Sequence, residues 1–327
     1  IAVITHILNI EKYKVVARRA LMISLMGYIF VLATLILEIG RWDNFWRPLV
    51  SWGHRSPMFE VFMCIAAYTI LQLVEFSDIL TEKVGQKWNK IIGKTLPVVF
   101  IIAALLPFGH QASLGALYLI FPDKLHPLWF TSMLPWFFLI SAFFVGPAVV
   151  IMESLISSRI RKRTLDFNVM QGLARITGFI MIGYLVLKVG DLAVKGATSY
   201  LFTGGLESVM YWFEIIIGLV IPIIICFSPL IASRQGLFAF SLSSILGIVL
   251  SRVNVVFVGM YNTLGPGYTP SWIEWGISIG LLAAVVLAYL FVVENFDIPS
   301  PVREYAKGRK TKSLSPKGKE GEWLPSK

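Results

Sequence analysis

Charged residues and cysteines are scarce in this sequence. Only 15% of its 327 residues are charged and 56% are hydrophobic, whereas soluble domains average about 25% and about 45–50%. That imbalance excludes an ordinary soluble domain. The two cysteines, Cys64 and Cys226, stand singly in apolar runs. The sequence therefore predicts neither a structural zinc site nor an iron–sulfur cluster held by this chain.

Motifs for nucleotide and metal chemistry are missing as well. The chain contains no P-loop, no HExxH and no GxGxxG fingerprint. A transmembrane haem b requires two histidines on facing helices. His110 is the one histidine clearly inside an apolar span, and His6 lies near the opposite membrane face. We therefore predict that this chain binds no haem, no iron–sulfur cluster and no metal.

Long apolar blocks are abundant instead. A membrane-spanning helix needs about 20 mainly apolar residues. Eight segments meet this length: 19–38, 57–79, 94–112, 128–155, 169–193, 206–230, 236–259 and 272–294. We predict an all-α fold, a polytopic transmembrane helix bundle that contacts the lipid bilayer.

A faint internal repeat favours two related four-helix bundles. The segments MGYIFVLATLILEIGR (26–41) and MIGYLVLKVGDL (181–192) each end a helix that rises through the membrane. Each is followed by a descending helix with an early glutamate, in SPMFE (56–60) and SVMYWFE (208–214). Chance similarity between apolar helices is the alternative explanation.

The chain divides into three predicted parts. Residues 1–10, IAVITHILNI, are interpreted as the remnant of an upstream transmembrane helix, which implies an N-terminal truncation. Residues 11–297 form the helix-bundle domain. Residues 298–327 are rich in Lys, Gly, Ser and Pro, and they are predicted to form a basic disordered tail.

The distribution of Lys and Arg predicts the orientation, because cytoplasmic loops carry an excess of both. One alternating set of short loops holds most of them: Lys12, Lys14, Arg18, Arg19, Lys83, Lys87, Lys90, Lys94, Arg159, Arg161, Lys162, Arg163 and Arg234. We place these loops and the C-terminal tail in the cytoplasm of a bacterial cell. The opposite ends of the spans, called outer here, then face the periplasm. This topology explains the net charge of +10, so we predict no nucleic-acid partner.

Ionisable residues inside the spans gather in the outer half. Each costs about 2.5–3.5 kcal/mol on insertion scales, so such residues usually mark a site or a pathway. The set is Glu38, Arg41, Glu60, His110, Lys188, Asp191, Glu214, Arg252 and Glu274. Glu38 and Arg41 are three residues apart, which predicts a shared helix face and an ion pair. Lys188 and Asp191 have the same spacing. The alternative to a functional role for these two residues is a purely structural ion pair between them.

The carboxylate, guanidinium and imidazole groups at this level suit a quinone head group. Reduction of a quinone takes up two electrons and two protons, and histidine and a carboxylic acid are plausible proton donors. We predict Glu60 and His110 as catalytic residues. Each residue also has a structural reading: Glu38–Arg41 as a simple ion pair, Glu60 as a helix cap, and His54 and His126 as ordinary interfacial side chains.

Two carboxylates near the cytoplasmic ends show one further regularity. Glu75 and Glu153 each lie 18 residues after the proline that begins their helix. They are candidates for proton entry, and Asp191, Glu214 and Arg252 then form a possible route through the second bundle. The alternative is that both glutamates simply lie at the level of the lipid head groups.

Several ordered polar segments resemble a known family. The stretches LEIGRWDNFWRPLVSWGHRSPMFEV, ALLPFGHQASLGAL, HPLWFTSMLP, YWFEI, SRVNVV and GYTPSWIEWGISIG resemble the NrfD/PsrC family of membrane quinone-binding subunits. The most similar branch looks like HybB, the membrane subunit of periplasmic nickel–iron hydrogenases. The resemblance runs over about residues 1–297.

The resemblance implies a bundle of eight to ten helices without a haem or metal of its own. It implies a quinone site, with menaquinone as the expected quinone, near the periplasmic face. A ferredoxin-like iron–sulfur subunit would dock there, with a hydrogenase, a molybdopterin enzyme or a multihaem cytochrome as catalytic subunit. Chains similar to HybB have two helices before residue 19, so the resemblance also implies that one wall of this site is missing.

The resemblance assigns roles residue by residue. Glu38 and Arg41 stand in an acidic-x-Gly-Arg segment, and His110 stands in a His-Gln-Ser/Ala-Ser segment. With His54, these residues are the predicted quinone-binding set. The other matching polar positions are Glu60, Asp191, Glu214 and Arg252.

The sequence thus predicts a membrane-anchoring, quinone-reactive subunit of a periplasm-facing respiratory oxidoreductase of the hydrogenase type. It would pass electrons between a partner's iron–sulfur subunit and the quinone pool, with proton translocation as an option. Two alternatives stay open, a secondary transporter and a purely structural membrane anchor. A transporter favours broken helices and polar residues at the midplane, whereas the charges here concentrate toward one face.

Overall fold

Eight long helices organise the chain. The computed structural model describes residues 14–53, 56–81, 86–120, 122–160, 165–261 and 271–295, and within these ranges every regular element is helical. The helices are α1 (Lys14–Glu38), α2 (Pro57–Thr81), α3 (Gln86–Leu117), α4 (Leu134–Ile160), α5 (Phe167–Val194), α6 (Leu206–Phe227), α7 (Arg234–Val258) and α8 (Trp272–Asn295). All eight are long and apolar enough to cross a membrane. The predicted all-α, multi-pass transmembrane bundle is confirmed.

The helices pack in two groups. In the first group α2 packs on α1 and α3, and α8 packs on α1. In the second group α4, α5, α6 and α7 surround one hydrophobic core. Helix α3 also packs on α4 and joins the groups. Each group supplies its own set of polar side chains.

Two helices of the second group contain π-helical turns. The segment Ile216–Val220 interrupts α6, and Asn254–Val258 ends α7. A Cβ atom on Gly218 would lie 2.7 Å from the Cα of Gly247, so these two glycines let α6 and α7 approach closely. The hydroxyl of Ser243 donates to the Ile217 carbonyl. Since π-turns concentrate at functional sites, these positions single out the middle of α6 and the outer end of α7.

The loop between α3 and α4 folds back into the second group. Its side chains Leu125, Leu128 and Trp129 are buried. The backbone N–H of His126 donates to the Gly259 carbonyl over 2.7 Å. The fourth span was predicted from residue 128, and that boundary is wrong because the helix begins only at Leu134. Trp129 therefore reaches the core from a loop.

None of the described residues of α8 from Trp272 to Val292 is buried, as expected of a helix that faces lipid on most of its surface. Its hydroxyl-bearing Tyr289 donates to Glu153 Oε1 over 2.5 Å, which ties α8 to the inner half of α4. The predicted helix remnant 1–10 and the tail 298–327 lie outside the described residues.

Candidate functional site

His110 is the most unusual polar residue of the first group. It lies on α3, is only 7% exposed, and its Nδ1 atom has no hydrogen-bond partner among the described residues. Leaving such a buried polar atom unpaired costs about 1–3 kcal/mol. Helix α3 continues to Leu117, so His110 lies about two turns inside the helix. A buried imidazole nitrogen without a partner is suited to bind a polar group that enters from outside the chain.

Glu60 lies beside His110. It occupies the first turn of α2 and is exposed. A Cβ atom on Gly109 would lie 3.9 Å from Glu60 Oε1 and 3.7 Å from the Cys64 sulfur. The absence of a side chain at residue 109 thus leaves room for the carboxylate above the turn that carries His110. Glu60 therefore lies next to the turn of α3 that carries His110, at the outer end of α2.

Arg41 is placed differently from the prediction. Helix α1 ends at Glu38, and Gly40 follows with a φ of 68°, so Arg41 no longer belongs to the helix. Its guanidinium donates to Asp43 Oδ2 over 3.2 Å and its side chain is 77% exposed. The argument that Glu38 and Arg41 share a helix face is therefore wrong. The Glu38 side chain and His54 lie outside the described residues.

A column of uncharged polar side chains runs inward from His110. The rings of His110 and Tyr28 are 6.2 Å apart, and those of Tyr28 and Tyr68 are 4.4 Å apart. The Tyr68 hydroxyl lies 3.4 Å from the hydroxyl of Ser24. Gln72 donates to the same Ser24 hydroxyl over 2.5 Å. Sequence reasoning missed these four residues because they carry no charge.

The column ends at Glu75 in the inner half of α2. Gln72 is fully buried and its Oε1 has no partner among the described residues. Glu75 follows three residues later on the same helix face and is 5% exposed. Tyr68, Gln72 and Glu75 are four and three residues apart, which places them on one face of a helix. This spacing is the sequence pattern from which the column could have been predicted. A buried polar line thus links the inner half of α2 with His110.

The second group contains a separate cluster centred on Glu214. This glutamate is 3% exposed and its Oε1 pairs with the ammonium of Lys188. Its Oε2 accepts from Trp129 Nε1 over 3.0 Å and from Asn254 Nδ2 over 2.9 Å. Three helices and the outer loop therefore converge on one carboxylate. The structural pairing of Lys188 with Asp191, offered as an alternative above, is wrong because Lys188 points to α6.

Asp191 belongs to the mouth of the same cluster. Its Oδ1 accepts from the Thr131 hydroxyl over 2.6 Å, and its Oδ2 lies 3.5 Å from the ammonium of Lys195. Lys195 also donates to the Phe130 carbonyl over 3.1 Å. Burial lowers the pKa of Lys195, and Asp191 opposes that shift. These contacts fasten the outer loop to the end of α5.

The contacts of His126 in that loop favour its neutral form. Its Nδ1 accepts the backbone N–H of Leu128 over 3.2 Å, and its ring packs edge-on against Tyr200 at 5.3 Å. Burial lowers the pKa of His126, opposed by the nearby carboxylate of Glu207. Protonation at Nδ1 would break the bond to Leu128, which agrees with that direction. The interfacial reading of His126 fits these contacts.

The predicted site residues therefore fall into two places. Glu60, His110 and Glu75 lie in the first group, whereas Asp191, Glu214 and Arg252 lie in the second. Glu153 is bonded to Tyr289 at the inner end of α4. Among the described residues, no three His, Cys, Asp or Glu side chains come together to hold a metal ion.

Comparison with known proteins gives a family and several relatives. The family model described as "Polysulphide reductase, NrfD" matches residues 1–265. A protein of Nitratidesulfovibrio vulgaris is 32% identical over 90% of this chain and 78% of its own length. The "Probable Ni/Fe-hydrogenase 2 b-type cytochrome subunit" of Escherichia coli K12 is 30% identical over 91% of this chain and 78% of its own. The "Menaquinone reductase, integral membrane subunit" of N. vulgaris is 26% identical over 86% and 74%. The resemblance noted from the sequence is confirmed.

The name of the Escherichia coli relative raises the question of haem. A haem b in the membrane needs two axial histidines on facing helices. The described spans of this chain contain one histidine, His110, and His126 lies in a loop with its Nδ1 bonded to a backbone N–H. These residues do not fit a bis-histidine haem. The absence of haem from this chain stays a prediction.

Proposed function

The chain belongs to the NrfD family, and from that premise we propose that it is the quinone-reactive membrane subunit of a respiratory oxidoreductase. The observation that carries the proposal is the buried, unpartnered Nδ1 of His110 beside the accessible carboxylate of Glu60. The relatives named as a menaquinone reductase subunit and a hydrogenase subunit support the same assignment. Menaquinone is the quinone we propose.

His110 and Glu60 would hold the head group at the outer end of α2 and α3. A bound quinone supplies two-electron, two-proton redox chemistry. His110 Nδ1 on α3 is positioned to form a hydrogen bond with one quinone oxygen. Glu60 on α2 is exposed and lies next to the α3 turn that carries His110. Histidine and carboxylate side chains are common general acids and bases in enzymes. Arg41 is exposed and paired with Asp43, so we do not propose a direct contact between Arg41 and the head group.

Electrons would come from a partner at the outer face. The chain's two cysteines lie on different helices, Cys64 on α2 and Cys226 on α6, so they do not make an iron–sulfur site. A ferredoxin-like subunit with its catalytic subunit, on the periplasmic side of the inner membrane, is the proposed donor. The C-terminal tail would then lie in the cytoplasm, as the distribution of Lys and Arg predicts.

Protons would reach the site through the first group. In the column from Glu75 to Tyr28, Gln72 donates to Ser24 and the Ser24 hydroxyl lies 3.4 Å from that of Tyr68, whereas Tyr68 and Tyr28 are in ring contact. Water molecules can complete such a line where direct contacts are missing. The second-group residues are less suited to uptake, because the Glu214 carboxylate is already bound by three donors. We therefore propose Glu75 as the inner entry.

The experiment is quinone reduction by the purified complex, with the natural donor supplied in excess. His110→Ala and Glu60→Gln should each lower kcat by about 100-fold or more, the usual size of general acid–base contributions. Glu274→Gln is the matched control, since Glu274 also lies in the first turn of an outer helix end, on α8. Unchanged turnover in both site variants, in complexes that retain all subunits, would refute the proposed site.

A further inference from the structure

The second group encloses a small cavity of about 20 Å³ near its outer end. Its lining includes three cationic residues, Lys188, Lys195 and Arg252, but one carboxylate, Asp191. The cavity is not part of the proposed quinone site, which lies among α1, α2 and α3. The excess of positive charge in its wall is the feature that requires an explanation.

Two of the three cations are neutralised. Lys188 pairs with Glu214, which stands just behind the cavity wall, and Lys195 lies 3.5 Å from Asp191. Arg252 has no carboxylate within 4.0 Å among the described residues. The local balance therefore leaves one positive charge, and that charge belongs to Arg252.

The contacts of Arg252 do not neutralise it. One guanidinium nitrogen donates to Ser141 Oγ over 2.9 Å and to the Phe138 carbonyl over 3.3 Å. Its Cζ lies 3.5 Å from the centre of the Phe138 ring. These are dipoles and a ring face, which stabilise a guanidinium but carry no net charge. Arginine stays protonated in proteins. A negative counter-ion would therefore stabilise the Arg252 guanidinium in the membrane interior.

The cavity limits what that counter-ion can be. A volume of about 20 Å³ holds one or two water molecules or one ion of similar size. Phosphate, sulfate and carboxylate head groups are too large. The side chains of Tyr184, Tyr211 and Ser251 also line the cavity and bring hydroxyl donors. We propose that this cavity binds a single small monovalent anion of the halide class, with chloride as the physiological ion.

The bound anion would balance the charge of Arg252 in the interior of the second group. The proposal does not rest on quinone chemistry, because none of these residues touches the Glu60–His110 site. It predicts that chloride stabilises the folded protein by mass action, since only the folded chain assembles the cavity. The effect should saturate at a concentration set by one dissociation constant.

The test compares thermal unfolding of the full chain in detergent, with chloride exchanged for gluconate at constant ionic strength. Wild type should show a saturable rise in Tm of at least about 2 °C with chloride and with bromide. Arg252→Gln should lose this rise. Arg175→Gln is the matched control and should keep it, because Arg175 is an exposed arginine of α5 that does not line this cavity.

A direct measurement keeps the proposal testable if Arg252→Gln does not fold. Bromide-soaked crystals of wild type should show one anomalous peak between Arg252 and Lys188, and Arg252→Lys should keep the peak at reduced occupancy. Water alone in the cavity at saturating bromide would overturn the proposal. So would an equal Tm response to chloride in wild type and Arg252→Gln.

Discussion

Replacing Lys188 by methionine tests the buried ion pair of the second group. Lys188 is 7% exposed and Glu214 is 3% exposed, so the substitution leaves a carboxylate in the membrane interior without its cation. Breaking a buried pair from one side costs about 3–5 kcal/mol. Methionine has nearly the length of lysine, which keeps packing losses small.

The structure narrows this range. In Lys188→Met the Glu214 carboxylate keeps two donors, Trp129 Nε1 at 3.0 Å and Asn254 Nδ2 at 2.9 Å. Hydrogen bonds to a charged group contribute about 1.5–3 kcal/mol each. The two remaining bonds therefore still stabilise the buried carboxylate in part. We therefore expect the free energy of unfolding to fall by about 3 kcal/mol, the lower end of the range.

A double-mutant cycle separates the pair from other effects. In Lys188→Met/Glu214→Gln both charges are gone, and the glutamine carbonyl still accepts from Trp129 and Asn254. The double variant should therefore lose less stability than the sum of the two single variants, with a coupling of about 2 kcal/mol or more. Denaturant unfolding in detergent micelles, followed by tryptophan fluorescence, measures each corner of the cycle.

Lys195→Met is the matched control for this cycle. Its partner Asp191 is 3.5 Å away and the two side chains are 21% and 16% exposed, so water screens the pair and the expected loss is about 1 kcal/mol. A loss below 1 kcal/mol in Lys188→Met would refute the reasoning. Strict additivity of the two single variants would refute it equally.

Three further predictions concern other parts of the molecule. Gly218→Ala should lower stability by about 1–3 kcal/mol, because its Cβ would lie 2.7 Å from the Cα of Gly247; thermal unfolding measures it. The pKa of His126 is lower in the folded protein than in the unfolded chain, so the unfolded chain binds more protons in the pH range between the two pKa values. The free energy of unfolding should therefore rise with pH through that range. His126→Gln should flatten that dependence in Tm measured from pH 4.5 to 7.5. Glu75→Gln should slow quinone reduction by at least about 10-fold, whereas Glu153→Gln should not.

Controls make each of these outcomes decisive. Gly183→Ala should be neutral, because a Cβ there meets no atom within 4 Å, and equal losses at Gly218 and Gly183 would contradict the close-approach argument. A Tm difference between wild type and His126→Gln that does not vary with pH would contradict the lowered pKa of His126 in the folded protein. Equal turnover in the two glutamate variants would remove Glu75 from the proposed uptake route.

The sequence predicted the fold because membrane insertion is governed by apolar length. The eight spans and the all-α class followed from that single rule. The boundary of α4 was missed because apolar residues 128–130 look like helix. In the structure they form a loop that seals the second group, with Trp129 bonded to Glu214.

Ion pairing was harder to predict than burial. Spacing along one helix suggested Lys188 with Asp191, but Lys188 pairs with Glu214 from another helix. Only the packing of α5 against α6 decides between these partners. The neutral column from Tyr28 to Gln72 was missed for a related reason, since serine, tyrosine and glutamine in a span carry no charge that marks them as costly.

The most direct test of the central claim is the position of the bound quinone. A photoreactive menaquinone analogue, added to the purified complex and mapped by mass spectrometry, should label peptides around Tyr28, Glu60 and His110. Excess natural menaquinone should suppress that labelling, and His110→Ala should weaken it. Specific labelling confined to α4, α5, α6 and α7 would contradict the account.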